Sequence, residues 1–251
     1  MTASFEGLSS TDAMELLRTG ELAVAGRLVD ASNATLYCTV SASASSSSVS
    51  ASCVYKPVAG ERPLWDFPDG TLAGREVAAF AVSEAFGWSI VPPTVYRDGP
   101  FGEGMCQLWV ERDPAVDLVE LSRDREHPAL CRMAVFDAVI NNSDRKIGHL
   151  LPTSDGRLYG CDHGVSFAED YKLRTVLWQW QGEPLTNEML AGLESVRAQA
   201  RDPDSELAER LARHLTGPER FAVRRRVELL LEHKVHPFPP PGRPAIPWPP
   251  I

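Results

Sequence analysis

Two polar segments in the second half of the chain carry the residue types that phosphoryl transfer requires. Asn142, Asp144 and Arg145 follow directly on a predicted helix over residues 128–141. Asp162 lies farther along, between an apolar stretch and Gly164. Phosphoryl transfer needs one carboxylate to position the attacking hydroxyl and another to hold a metal ion. A polar cluster of this kind is costly to bury unless it forms a network or serves a function. The two segments therefore predict a catalytic loop and a metal-binding loop.

A lysine and a glutamate in the first half of the chain are candidates for binding phosphates. Lys56 lies on an otherwise apolar predicted strand over residues 51–57, and Glu76 lies twenty residues later in a predicted helix over residues 71–86. Glu76 shares a helical face with apolar residues, and an inward-facing glutamate needs a cation. Lys56 is the nearest candidate partner. Glu84, on another face, is a rival partner for Lys56, and the alternative is that both side chains are ordinary surface charges.

The remaining patterns predict a β-rich first half and a helical second half. Thr11 or Ser10 caps a helix over residues 10–19, strands occupy residues 21–40, and the Ser- and Ala-rich tract 41–52 is interpreted as a long, mobile hairpin turn. Thr71 caps the helix over residues 71–86, and a hairpin joins strands at 94–97 and 105–111. Beyond the helix 128–141, the patterns predict a small hairpin (148–152 and 157–161), three helices (186–200, 204–215 and 217–234) and an extended Pro-rich tail from Pro237.

Composition excludes several classes of protein. The chain has 251 residues, a net charge of −9 and a pI near 5.2. This charge argues against a nucleic-acid binder and against docking on an anionic membrane. The basic run Arg224–Arg226 is interpreted as a solvated helix face. No apolar run reaches about 18 residues, so we expect no integral membrane association. Residues 1–17 lack a signal core and the five cysteines are scattered, which predicts a cytoplasmic protein with reduced thiols.

The paired loops resemble a known family. The catalytic and metal-binding loops of the phosphatidylinositol 3-/4-kinases resemble two segments here, Asn142-x-Asp144-Arg145 and Asp162-x-Gly164-x-x-Phe167. The likeness is strongest to the type II phosphatidylinositol 4-kinases and their bacterial relatives. HipA-type kinases and the Golgi casein kinase share the pattern more distantly. The chain as a whole also resembles an uncharacterised actinobacterial family of kinase-like proteins. The resemblance covers about residues 28–170 and implies an α+β, two-lobed protein-kinase-like fold that binds ATP and a divalent metal.

The resemblance implies a role for each matching residue. Asp144 is the implied catalytic aspartate, Asn142 and Asp137 frame its loop, and Arg145 belongs to the same catalytic set. Lys56 and Glu76 are the implied phosphate-binding pair. Gln107 to Glu111 is the implied hinge, so ATP contacts are expected from Gln107, Trp109 and Val110.

Metal binding and phosphate covering depart from the family pattern. The implied ligands of Mg²⁺ or Mn²⁺ are Asp162 and His149, where His149 replaces the usual Asn and is an inferior ligand for Mg²⁺. No Gly-rich loop covers the phosphates, so residues 32–35 or the Ser tract 45–48 would have to do so. His163 is either an outer support of the metal loop or a loop histidine without a role. Trp178-Gln179-Trp180 is either a substrate-contacting segment or a packing anchor.

Together these features predict a β-rich N-lobe over residues 1–111, a helical C-lobe over 112–236 and a Pro-rich tail over 237–251. The predicted function is an ATP- and metal-dependent phosphotransferase acting on a protein or small-molecule hydroxyl. A nucleotide-binding pseudokinase that acts as an interaction scaffold is the alternative, with the tail as a docking segment for its partner. Transfer of AMP on the same fold is a third hypothesis.

Overall fold

The computed structural model describes residues 9–28, 33–44 and 47–251, which group into two compact units. The first unit takes the chain up to Val77 together with Pro92–Glu111, and the second takes Ala78–Val91 together with Arg112–Ile251. The boundary therefore falls inside a helix, and residues 78–91 group with the helical part of the chain. The sequence alone had placed the division after residue 111.

The first unit is an antiparallel sheet with one helix at its start. Helix α1 (Ser10–Thr19) precedes strands β1 (Glu21–Arg27), β2 (Leu36–Ala44), β3 (Ser47–Pro57), β4 (Thr94–Gly99) and β5 (Gly102–Leu108). The strand order is β1-β2-β3-β5-β4, and all neighbours are antiparallel. The predicted cap of α1 was wrong by one or two positions, because the hydroxyl of Ser9 accepts the Asp12 N–H. Apolar residues of α1 and alternate strand residues form the core, among them Leu17, Cys38, Val40 and Tyr55.

The Ser- and Ala-rich tract 41–52 forms strand and not the long turn that its composition suggested. Ser41 pairs with Ser50 and Ala42 with Val49, which extends the β2–β3 ladder well past the predicted strands. Backbone hydrogen bonds give this ladder its register without large side chains. Farther in, Val40 and Ala51 face each other across the strands and are both buried, so the hairpin is fixed at its base. Residues 45 and 46, which belong to the predicted turn, lie outside the described residues.

Helix α2 (Leu72–Phe86) begins on a carboxylate from outside the helix. The Leu72 and Ala73 N–H groups donate to the two oxygens of Glu61, at 3.1 and 2.8 Å. The Thr71 hydroxyl, which the sequence suggested as the cap, instead donates to the Pro68 carbonyl. A carboxylate at a helix N-terminus satisfies unpaired donors and complements the helix dipole, so Glu61 replaces the predicted cap.

The second unit is mostly helical. After the end of α2 it contains α3 (Leu118–Arg123), α4 (Pro128–Ile140), a two-stranded hairpin of β6 (Leu150–Pro152) and β7 (Leu158–Gly160), and the helices α5 (Asn187–Arg201), α6 (Glu206–His214) and α7 (Gly217–His233). The predicted helices and hairpin are confirmed within one or two residues, whereas α3 was not predicted. The capping box of Thr216 and Glu219 is present, with both reciprocal hydrogen bonds.

The Pro-rich tail is extended, as predicted, but it packs against its own unit. The Ala245 carbonyl accepts from the Thr175 N–H and from the indole N–H of Trp178, at 3.0 and 2.8 Å. The Pro250 carbonyl accepts the Ile147 N–H at 2.8 Å, three residues after Asp144. The tail therefore packs beside the predicted catalytic loop. Its composition had instead suggested a segment that docks a partner.

The basic run on α7 is not uniformly solvated. Arg225 is exposed, but the Arg226 guanidinium points inward and donates to the carbonyls of Val139 and Ala168. The interpretation of the run as a solvated face is therefore wrong for Arg226. In the part of the chain that the structure describes, no helix combines the length and apolar character needed to cross a bilayer.

Candidate functional site

Lys56 and Glu76 form a close ion pair within the first unit. The Lys56 Nζ lies 2.7 Å from the Glu76 Oε1, and the two side chains are only 17% and 2% exposed. Strand alternation explains the direction of Lys56: Cys53 and Tyr55 enter the core on one face, whereas Lys56 lies on the other, opposite Met105. Met105 packs with Ala73 and Val77 of α2, so α2 covers the face that carries Lys56.

The ion pair gives a buried carboxylate its counter-charge. A carboxylate as buried as that of Glu76 would be strongly destabilised without a cation. Glu84, the rival partner, pairs instead with Arg210 of α6 at 2.5 Å. The first unit therefore presents a fixed ammonium group, of the kind that holds nucleotide phosphates in kinases.

The predicted hinge continues directly from β5. The Gln107 side chain donates to the Thr94 hydroxyl at 2.8 Å and is buried. The Trp109 N–H donates to the Ser52 carbonyl, and the Trp109 ring packs edge-on against Tyr37 with 5.0 Å between ring centroids. Both side chains are therefore used in packing. The adenine-binding role predicted for this segment consequently rests on the main chain at Val110.

The end of α4 turns the chain into the predicted catalytic loop. Asn141 ends the helix in the left-handed region, with φ of 54°, and its amide donates to the carbonyls of Ala168 and Asp170. Asn142 is fully buried; its amide donates to the Asp137 carboxylate and its oxygen accepts the Asp144 N–H at 3.0 Å. These bonds fix the backbone of Asp144, so Asn142 positions the loop and does not touch an acceptor.

Arg145 is a structural residue of the loop. Its side chain is fully buried and forms two 2.9 Å hydrogen bonds to the two oxygens of Asp137. It also donates to the Cys161 carbonyl and contacts the His163 Nε2 at 2.6 Å. A Cβ at Gly160 would lie 3.0 Å from the Arg145 Nη1, so a glycine leaves room for the guanidinium.

The burial of Arg145 changes two assignments. In this structure Arg145 has no exposed side-chain surface, which indicates a positioning role: it joins the predicted catalytic loop to the loop of Asp162. The buried His163 belongs to the same network, which supports its interpretation as an outer support of that loop. The sequence signal for this pair was weak, because Asp137 and Arg145 lie eight residues apart in different elements.

The Asp144 carboxylate remains partly accessible, with 26% of its side chain exposed. Its Oδ2 lies 3.3 Å from the Lys146 Nζ, a contact that was not predicted from the sequence. Burial raises the pKa of Asp144 against the lowering effect of Lys146. A carboxylate with a raised pKa is a better proton acceptor, which suits a group that orients and deprotonates a hydroxyl.

Asp162 and His149 lie together at the start of the second loop. The His149 Nε2 is 3.5 Å from the Asp162 Oδ2, while the His149 Nδ1 faces the Lys146 N–H. Asp162 has a left-handed backbone, with φ of 61°, and its side chain is 48% exposed. The Cys161 N–H donates to the His149 carbonyl and holds the two segments side by side.

This donor set suits a metal that arrives with phosphates. Within residues 9–28, 33–44 and 47–251, no group of three His, Cys, Asp or Glu side chains is placed to hold a metal ion. Mg²⁺ is commonly held by one or two carboxylates together with substrate phosphates, so Asp162 fits a cation of this kind, whereas the His149 nitrogen is a poorer ligand for Mg²⁺ than for Mn²⁺.

Other predicted segments have structural roles. Trp180 is buried and its indole donates to the Arg125 carbonyl, and the Trp178 indole donates to the tail, so the Trp178–Trp180 segment packs as an anchor. Thr35 is buried, which removes it as a phosphate-covering residue, and Asn33 accepts the Arg62 N–H. Ser32 and residues 45 and 46 of the Ser tract lie outside the described residues.

Two solved structures have folds similar to that of this chain. The structure of hydra Fam20 with sugar matches 92% of this chain and 89% of its own, with a TM-score of 0.56 and 15% identity. The Helicobacter pylori proinflammatory kinase CtkA matches 87% of this chain and 94% of its own, with a TM-score of 0.50 and 10% identity. The predicted α+β protein-kinase-like fold, with an antiparallel N-terminal sheet and a helical C-terminal part, is confirmed.

The family of the chain follows from its sequence. Protein Rv2133c of Mycobacterium tuberculosis (strain ATCC 25618 / H37Rv) is 44% identical over an alignment of 280 residues, which covers 97% of this chain and 98% of the relative. The chain belongs to the same family as that protein. No family model matches the sequence.

Proposed function

We propose that the protein is an ATP- and metal-dependent phosphotransferase of the phosphatidylinositol 3-/4-kinase-like type, acting on a hydroxyl group of a protein or a small molecule. The buried Lys56–Glu76 ion pair is the observation that carries this proposal. A lysine on a strand paired with a glutamate on the following helix is the arrangement by which kinases hold the phosphates of ATP. The kinase-like fold gives that pair its context.

The remaining roles are assigned to groups that are at least partly exposed, because a ligand can reach them. Lys56 holds the α- and β-phosphates, and the main chain at Val110 meets the adenine. Asp144 orients the acceptor hydroxyl and takes its proton as the oxygen attacks the γ-phosphorus and the bond to the β-phosphate breaks. Asp162 and His149 would hold the divalent cation, which would neutralise phosphate charge when bound.

The two structural neighbours support a hydroxyl acceptor. The Helicobacter pylori protein is a kinase, and hydra Fam20 was solved with a sugar, a molecule rich in hydroxyl groups. The net charge of −9 disfavours nucleic acid and an anionic lipid surface as acceptors. We therefore favour a protein or small polar molecule over the lipid that the resembling family name suggests.

A nucleotide-binding pseudokinase is the second candidate, and one observation favours it. The family that this chain resembles has an asparagine where this chain has His149, and His149 with Asp162 gives the proposed metal site two side-chain donors among the described residues. Such a site could bind ATP without transferring its phosphoryl group.

The test is incubation of the purified protein with γ-labelled and, separately, α-labelled ATP in Mg²⁺ or Mn²⁺, with candidate acceptors. We expect label transfer from γ-labelled ATP only. Lys56→Ala should abolish transfer, whereas Lys234→Ala, which alters an exposed lysine at the end of α7, should not. Transfer of the α label would indicate an AMP transferase, and ATP binding with no transfer would favour the scaffold. Failure to bind ATP at millimolar concentration would refute all three hypotheses.

A further inference from the structure

The Pro-rich tail is a preorganised segment that the second unit holds at definite points. Eight of residues 237–250 are prolines, and each proline fixes one backbone dihedral, so an extended segment of this composition loses little conformational entropy when it is ordered. The Phe238 carbonyl accepts the Tyr171 hydroxyl at 2.7 Å. Farther along, Pro247 is buried, whereas the neighbouring Trp248 is 89% exposed. The tail is therefore fixed by a few anchors and not by continuous burial of its side chains.

Ala245 joins the tail to the predicted catalytic loop through an intervening extended segment. The Arg145 N–H donates to the Arg174 carbonyl, and the Arg145 carbonyl accepts the Val176 N–H, both at 3.1 Å. The residue between these two partners directs its own N–H to the opposite side, as in a strand with neighbours on both edges. There the Thr175 N–H donates to the Ala245 carbonyl at 3.0 Å. The intervening segment consequently lies between the tail and the predicted catalytic loop and is hydrogen-bonded to both.

A second contact of the tail reaches the turn that follows Asp144. The Pro250 carbonyl accepts the Ile147 N–H at 2.8 Å. Ile147 begins the single 3₁₀ turn Ile147–His149, which leads from Asp144 to the predicted metal ligand His149. The first N–H groups of a helical turn have no partner inside that turn, so the tail supplies an acceptor that the turn lacks. The tail thus holds the Asp144 loop both through the intervening segment and directly at Ile147.

We propose that residues 245–250 are a positioning strap of the candidate active site, which holds the Asp144 loop and the turn leading to His149 in the conformation of the structure. Pro247 is the residue that seats the strap, because it is buried and lies in sequence between the two carbonyl groups that accept the hydrogen bonds. Releasing Pro247 should therefore loosen both contacts together. The kinetic consequence of this strap rests on the proposed phosphotransferase function, whereas its effect on the loop can be measured without activity.

The first test is amide hydrogen exchange of the full chain, which reports local opening residue by residue. Pro247→Asp puts a charged side chain at a buried position and should raise the exchange rates of the Ile147 and Thr175 amides about 2–10-fold, the effect of losing one hydrogen bond at each. The matched control Pro244→Asp makes the same change at an exposed proline of the tail and should exchange like the wild type. Amides within α5 serve as the internal reference and should exchange equally in all three proteins. Wild-type exchange of Ile147 in Pro247→Asp would overturn the proposal.

A milder variant decides the question if Pro247→Asp does not fold. Trp178→Phe keeps an aromatic ring but removes the indole N–H that donates to the Ala245 carbonyl at 2.8 Å. Exchange of the Thr175 amide should then rise about twofold or more, whereas Trp248→Phe, which makes the same change at an exposed tryptophan, should leave it unaltered. Equal exchange of Thr175 in these two variants would also overturn the proposal.

Turnover tests the consequence of the strap for the candidate site. At saturating metal, Pro247→Asp should lower kcat by about 10–100-fold, because a small displacement of a catalytic group has effects of this size. The KM for ATP should stay unchanged, since the proposed ATP contacts at Lys56 and Val110 belong to the first unit. Raised exchange at Ile147 with wild-type kcat would overturn the positioning role and leave the proposed function intact. If the wild type transfers no phosphoryl group, the proposed function fails, and the exchange rates alone decide whether the strap holds the loop.

Discussion

Replacing Asp137 with asparagine tests the network that fixes the predicted catalytic loop. The substitution keeps the shape of the side chain but removes the charge that faces Arg145. Both oxygens of Asp137 accept from the guanidinium at 2.9 Å, and neither side chain has exposed surface. After Asp137→Asn, the guanidinium stays buried without a counter-charge, and an amide NH₂ is placed where an acceptor is needed.

The expected loss is large because the pair is completely buried. Breaking a buried ion pair by removing one partner costs about 3–5 kcal/mol of the free energy of unfolding. Each kcal/mol lowers the Tm of a chain of this length by about 2–4 °C, so Tm should fall by roughly 6–20 °C. The Cys161 carbonyl and His163 remain as partners of Arg145, which favours the lower part of this range.

Thermal unfolding followed by circular dichroism measures this effect, and Asp170→Asn is the matched control. The Asp170 side chain makes only a 3.8 Å contact with Arg243 and is 77% exposed, so the same chemical change there should alter stability by about 1 kcal/mol or less. Equal Tm values for the two variants would refute the reasoning, because they would show that the Asp137–Arg145 pair does not stabilise the fold.

Three further predictions concern the site and the helical unit. Asp144→Asn should keep ATP affinity while turnover falls by about 10²–10⁴-fold, and wild-type turnover in a single-turnover assay would show that Asp144 is not the base. His149→Asn should shift metal preference from Mn²⁺ toward Mg²⁺, because imidazole nitrogen suits Mn²⁺ better than Mg²⁺. ATP-binding titrations in each metal measure this preference for the wild type and the variant. An identical metal preference in the two proteins would remove His149 from the metal site. Burial lowers the pKa of His236 from 6.5 to about 4, so the folded protein favours the neutral imidazole. Above pH 6.5 this preference contributes fully to the free energy of unfolding. Roughly 3 kcal/mol should then be lost between pH 6.5 and 4 in urea unfolding, and His236→Gln should flatten this dependence; equal slopes would contradict it.

Sequence periodicity correctly predicted the direction of the side chains that lie on regular strands and helices. Strand alternation separates Lys56 from the core-facing Cys53 and Tyr55, and helical spacing places Glu76 among apolar residues. Two such faces packed against each other bring the charges together at 2.7 Å. The capping box of α7 is equally local, because Thr216 and Glu219 are three residues apart. In each case the determining contact is short in sequence or follows from a repeating pattern.

The missed features depend on contacts between distant segments. Nothing near Arg145 in the sequence shows that its guanidinium turns inward, since its partner Asp137 lies on the preceding helix. The Ser-rich tract has alanines and one valine but no larger apolar residue, and only the strand register shows that it continues the ladder. Likewise, the tail has no local signal for binding, because its partners Ile147 and Thr175 lie far away in the chain.

The cap of α2 by Glu61 limits the ways in which the proposed phosphotransferase could be inactivated. Glu61 follows β3 closely, and it holds the first turn of the same helix that carries Glu76. Rotating α2 to separate Glu76 from Lys56 would require breaking an ion pair at one point of the helix and two charge-assisted hydrogen bonds at another. Each bond of that kind contributes about 1.5–3 kcal/mol, so the rotated conformation would be rarely populated. The ammonium group is thus held in one orientation, and control of the proposed phosphotransferase would have to act on acceptor access or on the Asp144 loop.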